Sequence, residues 1–370
     1  MGAAPIAVHA PYARGDLGGM PRYVRELLGP LLAGEPRAVL YSAAGDLPAR
    51  HPGRVRPLRP RALAGADRRA LVLRLLWHQA ALPARVRREG VSVYYSPVPE
   101  GMTRPACPQV VTVHDLIPLR FPEAAPRVAA YYRHVLPRVL RASRAVVVVS
   151  RATEADLRER MPLDGVPVHV VHQGYRRVFR PAAPGDPPSP AGVDGDYVLA
   201  IAETRGYKNL RRLVEAFARA GVPGLSLVVA GGAVDPGLRI LAERMGVGGR
   251  VRFTGRVGDE ELAALYRGAR ALVFPSLWEG FGLPPLEAMA SGCPVAASRA
   301  GAVPEVCGDA ALYFDPASVE EMADALARAA TDDSLRCTLR ARGLARAEGF
   351  SYERAAERIL EVVRGVEGDV

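Results

Sequence analysis

The stretch Phe274-Pro275-Ser276-Leu277-Trp278-Glu279-Gly280-Phe281-Gly282-Leu283-Pro284-Pro285-Leu286-Glu287-Ala288-Met289-Ala290 joins a strand end, a glycine loop and a helix start in one run. The apolar segment before it stops at Pro275. Pro284 and Pro285 fall where a first helical turn is expected, because residues there have no intrahelical use for an N–H. Gly280 and Gly282 let backbone amides approach a ligand, and the helix N-terminus behind them favours an anion such as a diphosphate. Glu279 and Glu287, with seven residues between them, would repel a phosphate but are good acceptors for the vicinal hydroxyls of a sugar or ribose. Either glutamate alone reads equally well as a helix-start acid favoured by the dipole. Paired around Gly-Phe-Gly-Leu-Pro, they read as a binding constellation.

On either side of this stretch, short β-branched runs alternate with longer amphipathic ones. Strands are expected at 6–9, 110–113, 145–149 and 168–171 in the first half. In the second half they are expected at 197–201, 225–230, 251–254, 271–274 and 294–297, with helices over 210–220, 260–267 and 319–330. Strand-then-helix repetition predicts an α/β protein with doubly wound parallel sheets. Around residues 179–192 the chain carries Pro181, Pro184, Pro187, Pro188 and Pro190 without periodicity, the signature of a linker. The expected organisation is a first domain over 1–178, the linker 179–192, and a second domain over 193–349. A last helix is expected within about 350–370. Ligands of such sheets bind beyond the carboxyl ends of the strands, which places the expected active site in the cleft between the domains.

The chain has 370 residues, 49% hydrophobic and 24% charged, which suits two globular domains and excludes disorder or a fibrous repeat. No apolar run approaches the roughly 18–20 residues of a membrane span, and the first residues lack the basic region of a leader, so a cytoplasmic chain is expected. Four scattered cysteines exclude a disulfide framework or a CxxC metal site. The net charge of +10 is spread along the whole chain without interleaved aromatics, so a small anionic substrate or an anionic membrane surface is favoured over nucleic acid. Lys208 is the only lysine and Asn209 the only asparagine, in a composition that otherwise uses arginine for positive charge. A compact ammonium retained against that bias marks a place where a planar guanidinium does not serve. A cation in the first turn of a helix also opposes the macrodipole unless an anion lies nearby.

The segment from Phe274 to Ala290 is similar to the E-x7-E motif of the retaining, nucleotide-sugar-dependent glycosyltransferases of the GT-B fold, family 4. Val110-Val111-Thr112-Val113-His114-Asp115 and onward to Pro122 resembles that family's N-domain histidine segment. Gly18-Gly19-Met20-Pro21-Arg22-Tyr23-Val24 resembles its first glycine loop, while Val251–Val257 and Ala310–Pro316 match landmarks of its C-domain. The similarity, weakest over residues 40–105, implies that the last helix, within about 350–370, crosses back to the first domain. It also implies that Glu287 holds the ribose of a nucleotide-sugar donor and that Glu279 faces the hydroxyls of the transferred sugar. The amides of Gly280, Phe281, Gly282 and Leu283 would meet sugar and phosphate, Arg205 and Lys208 would neutralise the departing diphosphate, and Val257 would lie against the base. His114 would stand near the sugar and the acceptor, with Gly19 in the turn that lets substrate approach. The family often has Arg directly before Lys-Asn. Here the run is Thr204-Arg205-Gly206-Tyr207-Lys208-Asn209, so Arg211 or Arg212 could take the place of Arg205.

The resemblance implies transfer of a hexose, with GDP-mannose as the favoured donor, to a glycan, lipid-linked or small natural-product hydroxyl. No metal and no cofactor beyond the co-substrate donor is called for. A transferase of antibiotic biosynthesis using UDP-N-acetylglucosamine or another NDP-hexose, and a catalytically silent sugar-nucleotide-binding scaffold, are the rivals. Asp194-Gly195-Asp196 is read as solvated linker in preference to a metal-binding DxD. His9, at the end of the first strand, could line the same cleft. The arginine-rich stretch 68–88 could lie on anionic lipid at the inner membrane face, a weak peripheral contact, but a core helix with a solvated basic face is favoured.

Overall fold

The computed structural model describes residues 4–12, 18–59, 63, 68–186, 193–201, 206–232 and 235–368. The chain divides into two compact units, 1–174 with 351–370, and 175–350.

In the first unit seven parallel strands form one sheet: β1 (Ile6–His9), β2 (Ala38–Ser42), β3 (Val55–Pro57), β4 (Val93–Ser96), β5 (Gln109–Val113), β6 (Ala145–Val148) and β7 (Val168–Val170), in the order β3-β2-β1-β4-β5-β6-β7. Parallel strands need covering on both faces, and the period-two alternation supplies it. Ile6 and Val8 join the cluster covered by the Gly19–Gly34 and Tyr352–Gly368 helices, whereas Ala7 joins Trp77, Leu82 and Val86 of the Arg68–Arg88 helix. Beside β5 and β6, Val113, Val146 and Val148 pack with Tyr131, Leu136 and Leu157. The Tyr352–Gly368 helix is also tied to the first unit by charge. Arg37 bridges Glu35 and Glu367, and Arg364 donates to Glu35 and to the Gly34 carbonyl.

The second unit has a six-stranded parallel sheet: β8 (Tyr197–Ile201), β9 (Ser226–Ala230), β10 (Val251–Gly255), β11 (Ala271–Phe274), β12 (Val295–Ser298) and β13 (Ala311–Phe314), ordered β10-β9-β8-β11-β12-β13. Its core joins Val198, Ala200, Leu227 and Val229 to the Leu210–Ala220 and Val319–Thr331 helices. The latter is capped at its start by side chains. Ser318 accepts from the Glu321 amide, and the Glu321 carboxylate reaches back to the Asp315 amide.

Every strand expected from the sequence is present to within two residues at its ends. β2, β3 and β4 were not anticipated, and neither was β13 as a strand. The Arg68–Arg88 helix is the expected core helix, with Trp77, Leu82 and Val86 buried and Arg69, Arg87 and Arg88 exposed, but it departs from that pattern at three positions. Arg74 is buried, while Val72 and Leu76, one turn apart, are 49% and 62% exposed. Its polar interior is possible because Arg74 meets a carboxylate inside the fold.

Candidate functional site

In the second unit the strand order reverses between β8 and β11, the switch point at which doubly wound sheets bind ligands at the strand carboxyl ends. The loops leaving these two strands contain Lys208 and Glu279. Lys208 Nζ donates to Glu279 Oε1 at 2.7 Å, with side-chain exposures of 16% and 12%. The ammonium also lies 5.2 Å from the ring centre of Tyr207 and 5.6 Å from that of Phe274. These rings shield the pair on the apolar side. The Tyr207 carbonyl accepts from the Leu277 amide at 2.8 Å, so the short Gly206–Lys208 turn is sewn to the loop that bears Glu279.

Glu279 itself is braced from behind. Its carbonyl accepts from the Ala302 amide at 3.0 Å, and a Cβ on Gly301 would sit 2.8 Å from its amide nitrogen and collide with its carbonyl. Gly282 takes φ +112 and precedes the Leu283–Ala290 helix, in a conformation that side-chain-bearing residues rarely adopt. Phe281 is buried with its ring edge-on to Phe350, 5.9 Å between centres. Glu287 is 5% exposed and accepts from the Tyr266 hydroxyl at 3.3 Å. Val257 is half-buried in the turn between β10 and the Asp259–Gly268 helix that carries Tyr266. The structure therefore brings Lys208, Glu279 and the 280–283 loop together, with Glu287 one helix turn further on. Arg205 lies outside the described residues. Of its suggested stand-ins, Arg212 donates to Asn209 Oδ1 at 3.0 Å, and Arg211 lies beside Gly237.

In the first unit His114 follows β5, 8% exposed, with Nε2 2.9 Å from the Pro97 carbonyl and the ring edge-on to Tyr23. A carbonyl only accepts, so Nε2 carries the proton and Nδ1 is left as an acceptor. Burial pushes its pKa down to about 4, so the imidazole is neutral near pH 7. Asp115 accepts from the Ile117 amide and starts the next helical turn. Gly19 opens the Gly19–Gly34 helix, and a Cβ there would meet nothing within 4 Å. The positive φ belongs to Gly18.

His9 does not face solvent. It is 1% exposed, neither ring nitrogen has a hydrogen-bond partner, and Nε2 is 3.7 Å from Glu100. Its donor atoms lie with those of His78 and Glu100 within 4.8 Å of one another, a spacing that would suit a metal. The chemistry does not suit one. Arg74 grips Glu100 through Nε at 2.7 Å and Nη2 at 2.9 Å, and both nitrogens of His78 are engaged, by the Arg74 carbonyl and the Tyr94 hydroxyl. A cation added here would face a guanidinium that already neutralises the only carboxylate of the group. Asp196 of the Asp-Gly-Asp run is paired with Arg270 at 2.6 Å. A cavity of about 630 Å³ in the first unit is lined by Gln79, Thr103, Arg104, Arg138 and Arg141. It lies toward the amino ends of β5 and β6, away from the ligand edge. Sequence reasoning missed Tyr266 and the two-sided bracing of Glu279, both of which come from partners distant in the chain.

Both units match known proteins. The family described as Glycosyl transferases group 1 matches residues 187–346, and Glycosyltransferase Family 4 matches residues 17–176. O-antigen chain mannosyltransferase B of Escherichia coli is 39% identical over 176 residues, 45% of this chain and 45% of that protein. The MMP alpha-(1->4)-mannosyltransferase of Mycolicibacterium hassiacum is 33% identical over 275 residues, 69% of this chain and 64% of that protein. The chain thus spans between about half and two thirds of the length of these two relatives. Among solved structures, sucrose-phosphate synthase from Thermosynechococcus elongatus superposes with a TM-score of 0.76 over 100% of both chains at 24% identity, a likeness of fold. With a different glycosyltransferase family model matched over most of each unit, and with two doubly wound sheets of this order, the chain belongs to the family 4, group 1 glycosyltransferases and has their GT-B fold.

Proposed function

We propose that the protein is a retaining hexosyltransferase that uses a nucleotide-diphosphate sugar, GDP-mannose by preference. The acceptor is a hydroxyl of a glycan, lipid-linked or small natural-product molecule. The observation that carries this reading is the Lys208–Glu279 pair at the switch point, beside a glycine loop and a helix N-terminus. Lys208 turns from Glu279 to the diphosphate when donor binds, which frees the carboxylate to accept from the sugar hydroxyls. Glu287, oriented by Tyr266, accepts from the ribose. The amides of Gly280–Leu283 take the sugar and phosphate. Arg205 is the second cation of the proposal, and with two cations on the diphosphate the charge is met by side chains.

As the C1–O bond to phosphate breaks, negative charge grows on the leaving oxygen. A cation fixed there in advance stabilises the transition state more than the ground state, with about 2–4 kcal/mol lost per donor removed. The acceptor oxygen bonds to C1 on the face the phosphate leaves, and its proton passes to the departing phosphate oxygen. No glutamate or aspartate is assigned as a covalent nucleophile. Neutral His114 offers Nδ1 to a sugar or acceptor hydroxyl. The preference for mannose rests on the named activities of the two mannosyltransferase relatives. Action in the cytoplasm with weak peripheral contact at the inner membrane face completes the reading. Val72 and Leu76, exposed on a helix that also carries Arg69, Arg87 and Arg88, support that contact.

Thermal-shift binding of GDP, UDP and dTDP, each with and without its sugar, tests the donor. At a hundredfold excess over Kd, a nucleotide adds about 2.7 kcal/mol of stability. One nucleotide is expected to raise the melting midpoint of the wild type and to lose that effect with Glu287→Ala. No shift with any nucleotide would overturn the reading. Proton NMR of the product then decides the stereochemistry, and inversion at C1 would refute the retaining assignment.

A further inference from the structure

Asn209 stands next to Lys208 in an arrangement that the donor chemistry does not by itself require. Its backbone is left-handed, φ 60° and ψ 27°, one of two non-glycine residues with positive φ among those described. Its side chain is spent on neighbouring loops and does not cap the helix that follows. Nδ2 donates to the Pro275 carbonyl at 3.1 Å and to the Pro316 carbonyl at 2.7 Å, while Oδ1 accepts from Arg212 at 3.0 Å. Pro275 directly follows β11 and opens the loop that bears Glu279. Pro316 lies two residues beyond β13. One buried amide therefore fastens the β8, β11 and β13 loops at the carboxyl edge of the sheet.

We infer that Asn209 is the positioning residue of the donor site, fixing the Lys208 ammonium relative to Glu279 and hence to the diphosphate. The inference rests on the donor-site reading above. The side-chain chemistry is specific. Two carbonyls must be met by two N–H donors from a single planar group, and the residue must tolerate φ near +60°, which Asn does better than other side-chain-bearing residues. Aspartate would present an oxygen to those carbonyls. Glycine would keep the backbone and remove the fastening.

The test is a double-mutant cycle on donor turnover. Asn209→Gly and Asn209→Asp are each compared with wild type, then repeated in a Lys208→Gln background, with kcat and donor KM separated and folding followed by circular dichroism. Both single variants are expected to lose at least tenfold in kcat with donor KM changed less than threefold. In the Lys208→Gln background neither should cost more than a further twofold, because the residue acts through that lysine. Losses that multiply across the cycle, or that fall on KM alone, would overturn the inference and leave a merely structural clamp. Unchanged kcat in both single variants would overturn it too. A wild type that neither binds nor turns over any nucleotide sugar would instead remove the donor-site reading, and the inference with it.

Discussion

Glu100→Gln probes the most deeply buried Arg–carboxylate pair among the described residues of the first unit. Arg74 and Glu100 have side-chain exposures of 3% and 5% and meet through two hydrogen bonds, at 2.7 and 2.9 Å. The substitution keeps the volume but leaves the guanidinium without its counter-charge, which costs about 3–5 kcal/mol for a buried pair. For a unit of this size each kcal/mol moves the midpoint by roughly 2–4 °C, so a fall of about 6–20 °C is expected. Removing both charges with Arg74→Met and Glu100→Leu should recover more than half of that loss. Recovery stays incomplete because Arg74 also donates to the Leu63 carbonyl. The chain has two tryptophans, one in each unit, so Trp278→Phe leaves Trp77 as a fluorescent reporter of the first unit. Trp77 stacks on His9, 6.0 Å between ring centres, within the same cluster. A midpoint shift below about 2 °C, or a double variant less stable than the single one, would refute the argument that the pair is stabilised by mutual neutralisation in a dry site.

Burial pushes the pKa of His78 down to about 3 and that of His114 down to about 4, from an ordinary 6.5. Between pH 6.5 and about 4 the unfolded chain therefore binds more protons than the folded one. Stability should be full above pH 6.5 and fall as the pH drops, by up to about 1.4 kcal/mol per pH unit for each histidine. Urea midpoints at pH 7.5 and 4.5 that coincide would contradict this. Gly301→Ala should reduce transfer by about a hundredfold by displacing Glu279, whereas Gly29→Ala should leave transfer unchanged, since its Cβ enters open space. Equal activity in the two variants would count against the bracing of Glu279. Wild type should co-sediment with phosphatidylglycerol vesicles more than with phosphatidylcholine vesicles, and Val72→Ser with Leu76→Ser should abolish the difference. Indifference of wild type to vesicle charge would remove the membrane contact from the proposal.

Most strands of the second unit were legible because they are largely apolar runs between turn signals, as in Ala271–Phe274. β4 escaped notice because Val93-Tyr94-Tyr95-Ser96 is half tyrosine, and β3 because it contains a proline and lies at the sheet edge. The glycine loop and both glutamates were readable because proline and glycine announce backbone geometry locally. The pairing of Lys208 with Glu279, seventy-one positions apart, depends on which strands become neighbours, as does the hydroxyl that Tyr266 gives Glu287. Periodicity alone also misplaces Arg74 in the Arg68–Arg88 helix, because it treats arginine as a solvent residue. Arg74 is inside because Glu100, from the loop after β4, is inside with it.

The Tyr352–Gly368 helix packs on the Gly19–Gly34 helix and fills the core beneath β1, β4 and β6 with Ile359, Leu360 and Val363. The second unit is therefore a guest inserted into the sequence of the first. On the ribosome the order of completion is inverted. Residues 175–350 are made whole and can fold while the unit begun before them still lacks its closing helix. Throughout that interval the apolar face of the Gly19–Gly34 helix stays open to chaperones, proteases or another unfinished copy. A late translational stall would leave a finished guest attached to an unfinished host.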